Sequence, residues 1–499
     1  MMPLPSMPRR AELSVDRATL AAALGFLALA ATVFLLGPAR LSLALFVGIG
    51  VFAIAARPDW GVTIIVILLL VQYGQRGIER TGQAGLIASL VPPGEGLLTP
   101  NNILGLYLAS ILAFQIYRDG DLSFLRSRQV QLVLAITVVL IGSGILNGVN
   151  YDEQAELGLR ITGQSPMRAL ASRALFLVLF VAFVRRPSSF RSLMLVFVAL
   201  SLFTSFSGSS AALGQGSDVP QAAAYRAGGT STLIETAGNP NRLAMVATLA
   251  LVMIWEFTQS ELPAGLRWTG AVAALGLIVT VFLTASRGGV VCLFGTGGLL
   301  LMQRGHLGRR VIYALLVAVV AGYAISQVVP EAAMERLSTI PGISSNPTGE
   351  GEGSIERREY TYVVAYNIWK LSPIIGVGLG NWQYMRFLTD PTRSAGVAHN
   401  SYLEAVSEGG LITLGLYLLL FLVTHRQLRE LAHRPEILER IREDRMEWVL
   451  NALRVSILSF MAFSLSSDLW DLIFFYFLMG LAGALINKYN PPVVREAMA

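Results

Sequence analysis

Charge, lysine and cysteine are all scarce in this sequence. Only 14% of its 499 residues are charged, whereas 54% are hydrophobic. Soluble proteins usually carry about 25% charged residues. A set of soluble domains is therefore excluded, because each domain needs a polar surface that this composition cannot supply. Much of the apolar surface must face lipid.

Cysteine occurs once, at Cys292, which excludes a disulfide framework and a metal site built from cysteines. Lysine occurs only at Lys370 and Lys488, so arginine supplies nearly all the positive charge behind the net charge of +6. The arginines are scattered between apolar runs instead of forming one stripe. Such a distribution is typical of charges that set membrane topology, so we expect no nucleic-acid partner.

Long apolar runs are abundant. A helix that spans a bilayer needs about 20 mostly apolar residues. Candidate runs lie near 18–37, 41–56, 60–75, 102–117, 130–147, 169–184, 190–206, 243–258, 267–285, 289–303, 311–329, 410–424, 449–466 and 472–487. No small-residue cleavage site follows the first run, so we expect it to stay as a helix. The predicted fold is an all-α polytopic membrane protein with about 12–14 transmembrane helices.

Arginine-rich connections indicate which face each loop occupies. Three of them, at 185–191, 304–310 and 426–445, should be cytoplasmic, as should the N-terminus. Counting spans from these connections places three other segments on the external face: 207–242, 286–288 and 330–409. The count is local and does not depend on the total number of spans.

The spans and loops divide the chain into five regions. They are 1–206, N-terminal transmembrane helices; 207–242, an external loop; 243–329, central transmembrane helices; 330–409, a large external loop that holds the candidate catalytic motif; and 410–499, C-terminal transmembrane helices with an inner loop. Aromatic and aliphatic residues recur at helical spacing in the large loop and predict a helix over 355–371 outside the bilayer.

His399 is the leading candidate for a catalytic base. The other three histidines, His306, His425 and His433, lie in the basic inner loops, and His399 alone is external. An imidazole can accept a proton near neutral pH, for instance from an attacking hydroxyl. The plain alternative is a loop histidine without a role. Asn400 follows it and can either cap the next helix or orient the imidazole.

Arginines on the external face are candidate anion ligands. Arg287 lies in a turn followed by two glycines, so it can offer a bidentate fork to a phosphate, or it can extend to lipid headgroups. Arg357 and Arg358 are adjacent on the predicted helix, and their side chains point about 100° apart. Only one of the two is therefore expected to face a pocket.

Amides and glycines complete the external polar set. Asn239 and Asn241 flank Pro240, where they either begin a helix or hold sugar hydroxyls or a phosphate. The run PIIGVGLGNW at 373–382 has alternating glycines, which suits a tight loop against a ligand or a simple turn. It is neither a Rossmann nor a Walker signature.

Several motifs are missing. The sequence has no Cys/His ligand set, no HExxH and no GxSxG, so zinc hydrolysis and nucleophile-elbow chemistry have no support. Acidic residues do not cluster in the spans, as proton-coupled carriers usually require. A base, two guanidiniums and amides fit a hydroxyl that attacks a phosphate-activated group. We expect no metal and no cofactor.

Four motifs in order resemble a known family. They are GNPN at 238–241, TASRGG at 284–289, an arginine fifteen residues before PIIGVGLGNW, and HNSYLEAVSEGGLIT at 399–413. The sequence is similar to the bacterial O-antigen ligase and polymerase superfamily. In the ligases a His-Asn pair is followed at fixed spacing by Gly and then by Gly, Thr or Tyr, and this chain has His399, Asn400, Gly410 and Thr413.

The resemblance implies a GT-C-like fold in the bacterial inner membrane with a periplasmic active site. Members of the family transfer a glycan from undecaprenyl diphosphate to an acceptor hydroxyl, which belongs to lipid A core in ligases and to a second carrier-linked glycan in polymerases. It implies that His399 is the general base, that Arg287 and Arg358 bind the diphosphate, and that Asn239, Asn241 and Asn400 contact substrate. The reaction would invert the anomeric carbon without a metal.

Four interpretations stay open: a ligase, a polymerase, a flippase and a scaffold subunit. The His-Asn motif favours a ligase. A polymerase shares the same motifs. The upper count of 14 spans exceeds the roughly twelve expected of a ligase, which favours a polymerase. A flippase for the lipid-linked glycan would need cations along a path through the membrane, and the spans carry almost none apart from Arg454. A scaffold subunit would tolerate single polar substitutions.

Overall fold

The structure is a computed structural model that describes residues 50–67, 100–157, 165–214, 240–263, 267–303, 319–329, 331–338, 350–389, 398–468 and 472–490. These residues form helices and connections, with no strand among them. The helices are α1 (50–56), α2 (Pro58–Ile67), α3 (Pro100–Asp119), α4 (Arg128–Leu146), α5 (Tyr151–Glu156), α6 (Pro166–Phe183), α7 (Pro187–Gly214), α8 (Pro240–Ser260), α9 (Arg267–Leu283), α10 (Arg287–Met302), α11 (Val319–Val328), α12 (Glu331–Ser338), α13 (Glu350–Leu371), α14 (Trp382–Thr389), α15 (Ser401–His433), α16 (Pro435–Glu443), α17 (Glu447–Phe463) and α18 (Ile473–Tyr489); a short 3-10 turn occupies Ser123–Arg126.

The helices confirm an all-α polytopic membrane protein. Within the described ranges, five helices are long and apolar enough to cross a membrane: α4, α6, α7, α8 and α15. The chain bends by 114° between α16 and α17, and these two helices make a sixth spanning segment if they cross the membrane as one broken span. Five shorter apolar helices accompany them: α2, α9, α10, α11 and α18. The predicted total of 12–14 includes the run at 18–37, which lies outside the described residues, so that number stays a prediction.

The chain divides into two compact units, residues 1–62 and 63–499. In the described part of the first unit, the Arg57 guanidinium donates two hydrogen bonds to Asp59, at 3.0 and 2.8 Å, and lies 5.1 Å from the centre of the Trp60 ring. All residues of the candidate site belong to the second unit.

Two antiparallel helix pairs organise the second unit. In one, α10 packs on α17: Thr296 donates to Ser459 at 2.8 Å, and the Gln303 amide donates to the Asn451 carbonyl at 3.1 Å. The paired residue numbers rise on one helix as they fall on the other. The N-terminus of α10 therefore lies beside the C-terminus of α17.

The second pair is α4 with α15. Gln129 donates to Thr424 and Gln427 near one end, and Ser143 donates to the Glu408 carbonyl at the other. Polar contacts thus fix the register of these apolar helices. They also sort the connections into two groups at opposite ends of the helices.

We call these the site end and the basic end. The site end holds residues 241, 286–288, 373–381, 398–401 and 464–468. The basic end holds residues 121–129, 185–191 and 426–447, where Arg185 pairs with Asp121 at 3.1 Å and Lys488 with Asp444 at 3.2 Å. Segments predicted to be external and segments predicted to be cytoplasmic therefore lie at different ends.

Helix α18 lies in the centre of the packing, buried along almost its whole length. Its Phe475 packs among Tyr417, Phe421 and Phe460, with ring centres 5.4 to 5.9 Å apart. Gly480 lets α18 approach Phe180 of α6 closely. This aromatic core fixes α15 and α17, which both lead to the site end.

Two predicted elements differ from the observed helices in length. The helix predicted over 355–371 is present and begins earlier, at Glu350. The span predicted at 410–424 is the middle of the much longer α15, which starts at Ser401 because Asn400 caps it there. Helix α15 is interrupted at Gly410, which has non-helical angles (φ 66°, ψ −168°).

Candidate active site

His399 lies beside a buried carboxylate. Its Nδ1 is 3.9 Å from Oδ2 of Asp468, too long for a hydrogen bond but within the reach of a charge interaction. The Asp468 side chain is 6% exposed and that of His399 is 42% exposed. Nδ1 itself is buried, so the exposed part of the His399 side chain lies elsewhere than at this nitrogen.

The backbone around His399 is fixed by a helix cap. His399 adopts a left-handed conformation (φ 52°), which is uncommon outside glycine although histidine tolerates it better than most residues. Asn400 then accepts hydrogen bonds from the N–H groups of Tyr402 and Leu403, at 2.9 and 3.2 Å. Of the two predicted roles for Asn400, the structure has the cap. A contact of Asn400 with substrate stays a prediction.

The turn 464–468 follows α17 and is hydrogen-bonded to the start of α15. The Ser401 N–H donates to the Ser464 carbonyl and the Ser401 hydroxyl to the Ser467 carbonyl, both at 2.8 Å. One turn earlier in α17, the Met461 carbonyl accepts a hydrogen bond from the Tyr402 hydroxyl at 2.9 Å. These bonds hold the segment that precedes α15 against the turn, and thereby hold His399 near Asp468.

The same turn contacts the segment that carries Arg287. A Cβ atom added to Gly288 would lie 2.8 Å from Oγ and 2.9 Å from Cβ of Ser466, so only glycine allows this approach without a shift. Arg287 is the first residue of α10 and is partly exposed. The turn 464–468 thus lies next to both His399 and Arg287.

Asn241 belongs to this group as well. The Ser286 hydroxyl donates to Asn241 Oδ1 at 2.7 Å and accepts the Gly289 N–H at 3.0 Å, which caps α10. Asn241 follows Pro240 in the first turn of α8, so the predicted helix start is confirmed. Asn239 lies outside the described residues, and its role stays a prediction.

Helix α13 packs at the site end through one face. Val364, Ala365 and Ile368 form an apolar cluster with Trp382 and with Ala398, the neighbour of His399. Arg358 lies on the same helix, two turns before this cluster. The structure does not describe the side chains of residues 350–358, so the choice of Arg358 over Arg357 stays a prediction.

The glycine-rich loop 373–380 is inserted into the break of α15. In an unbroken helix, the N–H groups of Leu411 and Ile412 would donate to the carbonyls of Ser407 and Glu408. Here they donate to the carbonyls of Pro373 and Ile374, while Val377 and Gly378 donate to the Ser407 and Glu408 carbonyls. All four backbone groups freed at Gly410 are therefore satisfied by the loop.

Further side chains hold this loop in place. Asn147 donates to the Gly376 carbonyl at 3.1 Å, and the Tyr151 hydroxyl to the Leu379 carbonyl at 2.8 Å. The alternating glycines were predicted to form either a tight loop against a ligand or a simple turn. In the structure their close approach is to protein backbone, and a contact with a ligand stays a prediction. Glu408, 3% exposed, accepts the Trp382 N–H at 3.2 Å and so places a carboxylate at the N-terminus of α14.

Charged and titratable groups surround the site end. Arg242 follows Asn241, and Arg386 on α14 is 8% exposed with its guanidinium carbon 6.0 Å from the Tyr360 ring. On the surface, Tyr384 donates a hydrogen bond to Glu153 at 3.0 Å, and this bond raises the pKa of Tyr384. Neither Arg242 nor Arg386 was among the site residues predicted from the sequence.

Asp468 was not among the predicted site residues either. The residue is 69 positions from His399 in the sequence and follows an apolar span, so no local motif connects the two. One signal was available: SLSSD at 464–468 is a polar turn between two apolar runs, and the span count places it on the external face. Among the described residues, His, Cys, Asp and Glu form no group of three that could hold a metal ion.

Residues 271–418 match the family described as O-antigen ligase. The resemblance to the O-antigen ligase and polymerase superfamily is confirmed. The matched segment contains Arg287, Arg358, His399 and Asn400, and ends before Asp468. No curated protein matches the chain.

The match to the O-antigen ligase family indicates an enzyme that acts on lipid-linked glycans, as ligases and polymerases of the superfamily do. The several apolar helices agree with a multi-pass membrane protein of that superfamily. In this framework, the described residues that gather around the turn 464–468 are the candidate active site.

Proposed function

We propose that the protein transfers a glycan from undecaprenyl diphosphate to an acceptor hydroxyl on the periplasmic face of the inner membrane. The observation that carries this proposal is the gathering of His399, Asp468, Asn241 and the Arg287 segment around one turn at the end of the helices away from the arginine-rich connections. A base beside a guanidinium suits a hydroxyl that attacks a phosphate-activated carbon.

In the proposed mechanism His399 is the general base. The buried Asp468 carboxylate, 3.9 Å from Nδ1, would favour a proton on Nδ1, so that the lone pair of Nε2 can take the proton of the acceptor. The carboxylate would also stabilise the imidazolium that forms when the proton moves. Asp468 acts through His399 and is therefore a positioning residue.

The step itself is a single displacement. Nε2 of His399 takes the hydroxyl proton, the acceptor oxygen bonds to the anomeric carbon, and the bond from that carbon to the diphosphate oxygen breaks. The electron pair leaves with undecaprenyl diphosphate, and attack from the opposite face inverts the configuration. Arg287 and Arg358 would bind the diphosphate and stabilise its growing negative charge, which removes the need for a metal.

The motif pattern favours a ligase that uses lipid A core as the acceptor, and a polymerase is the second candidate. The test offers the purified protein a carrier-linked glycan together with either lipid A core or a second carrier-linked glycan. A product on lipid A core supports the ligase, and a longer carrier-linked glycan supports the polymerase. Movement of the glycan across the membrane of vesicles without a new glycosidic bond would instead support a flippase.

His399→Ala tests the role of the base. We expect transfer to fall by at least a hundredfold, because general-base catalysis usually contributes that much. His433→Ala is the matched control, since His433 lies at the basic end, where its Nδ1 contacts the Arg429 carbonyl. Turnover in a folded His399→Ala protein close to that of the control would rule out His399 as the base.

A further inference from the structure

Arg454 lies within α17 and forms no hydrogen bond or ion pair with the residues that the structure describes. Its Nε is buried, yet no acceptor lies within hydrogen-bond distance of it. A guanidinium offers five donors and keeps its charge, so leaving it without acceptors inside a membrane protein is costly. Such a residue indicates a site whose acceptor is a bound molecule.

A second unpaired nitrogen belongs to the same place. Nδ1 of His425 on α15 is also buried without a hydrogen-bond partner among the described residues. His425 and Arg429 lie one turn apart on α15, and Arg454 lies near the same end of α17, which packs on α15. Three nitrogen-bearing side chains thus lie at the same end of two packed helices.

The charges of this cluster do not balance. Among the described residues, the acidic side chain whose charge acts on Arg454 is Glu256 of α8, which is 2% exposed. One carboxylate supplies at most one negative charge against two guanidiniums, so at least one positive charge remains. A phosphodiester carries one negative charge and several acceptor oxygens, so it matches both the charge and the unused donors.

The cluster also reaches the surface of the described part of the protein. Arg429 is exposed, and Arg454 and His425 are partly exposed. Arg454 lies seven residues from the start of α17, which is roughly 10 Å along the helix axis. The cluster is therefore near the basic end, at a depth that the phosphate of a lipid headgroup can reach.

We propose that Arg454, His425 and Arg429 bind the phosphodiester headgroup of an anionic phospholipid in the leaflet at the basic end. The site is separate from the one that holds His399, because it lies at the other end of α15 and α17. It does not depend on which glycan or acceptor the enzyme uses. A bound lipid would complete the hydrogen bonds of Arg454 and hold α15 against α17.

The test measures the thermal unfolding midpoint of the purified full-length protein while phosphatidylglycerol is added. We expect the midpoint to rise with phosphatidylglycerol and not with phosphatidylcholine or inorganic phosphate. In Arg454→Gln and Arg429→Gln the half-maximal concentration should increase about tenfold, the usual effect of one lost charge-assisted hydrogen bond. Arg429 is exposed, so its substitution does not endanger folding.

Arg426→Gln is the matched control. Arg426 lies on the same helix, is 81% exposed and pairs with Glu430 at 3.0 Å, so the response to phosphatidylglycerol should stay as in the unchanged protein. Equal responses of the Arg429→Gln protein and this control would overturn the proposal. Phosphatidylcholine as effective as phosphatidylglycerol would also overturn it, and so would inorganic phosphate as effective as the lipid.

Discussion

At the scale of single residues, the pairing of His399 with Asp468 shows what the sequence could and could not predict. His399 stood out because it was the one histidine predicted to lie on the external face, and the structure places it at the site end, partly exposed. Its carboxylate neighbour arrives from a different helix. Only the packing of α15 on α17 brings the two together, and the bonds that hold it are accepted by backbone carbonyls, which every residue type offers.

Asp468→Asn should lower the rate of glycan transfer about a hundredfold, with a smaller effect on the Michaelis constant. An amide cannot stabilise the imidazolium, and it can also favour the wrong tautomer of His399. The measurement is the steady-state rate of glycan transfer to whichever acceptor the assay with lipid A core and carrier-linked glycan identifies. Asp444→Asn, at the basic end, is the control; a rate for Asp468→Asn as high as this control would show that the carboxylate does not act on His399.

Asp444 gives a prediction about pH. The Tyr489 hydroxyl donates to Asp444 at 2.6 Å, and this bond, together with Lys488, lowers the pKa of Asp444 below its ordinary value of about 3.9. The ionised form is therefore favoured in the folded state, so the contact stabilises above that ordinary value and is lost as the pH falls through the lowered pKa.

Asp444→Asn should accordingly reduce stability at neutral pH by about 1 kcal/mol or less, because Asp444 is partly screened by solvent. The difference in unfolding midpoint from the unchanged protein should shrink as the pH falls below about 4. Tyr489→Phe should reproduce the effect, since it removes the main donor. A difference that persisted in acid would assign it to packing instead.

At the scale of elements, the loop 373–380 and the break in α15 form one unit. Hydropathy predicted the span near 410–424, and the alternating glycines predicted either a tight loop against a ligand or a simple turn. The sequence did not predict that the loop and the helix pair with each other, because they do so through backbone hydrogen bonds between segments 30 or more residues apart. The glycines made sense only afterwards: a Cβ atom at Gly376 would overlap the Glu408 backbone, and one at Gly410 the Ile374 carbonyl.

Gly410→Ala should destabilise the protein by at least about 2 kcal/mol, because alanine rarely adopts φ 66°, ψ −168° and its methyl group has no room. The measurement is the thermal unfolding midpoint. Gly415→Ala, on the same helix with nothing near its Cβ position, should be neutral or slightly stabilising. Equal midpoints for the two variants would contradict the role of the break.

At the scale of the whole molecule, the arginine-rich connections predicted which loops lie at the same end. The span count divided the loops into two groups, and the structure places the described parts of these groups at opposite ends of α10, α15 and α17. The total of 12–14 spans stays a prediction, because several described helices are shorter than a bilayer is thick and their length alone does not show whether they cross it.

Cysteine labelling checks the orientation of the two ends. Asn367 on α13 and Arg426 on α15 are both exposed, one near each end. In a Cys292→Ser background, Asn367→Cys should react with an impermeant reagent added to intact spheroplasts, and Arg426→Cys only after the membrane is opened. The reverse pattern, or labelling of both from one side, would overturn the proposed periplasmic site.

The broken helix α15 also bears on how the chain enters the bilayer during synthesis. A span whose backbone ladder is interrupted exposes four polar groups to hydrocarbon, each at a cost of several kcal/mol, if it inserts alone. The loop that satisfies them, 373–378, is translated before residues 407–412. The ribosome therefore delivers the partner first, and we expect the two segments to leave the translocon as a single folded unit.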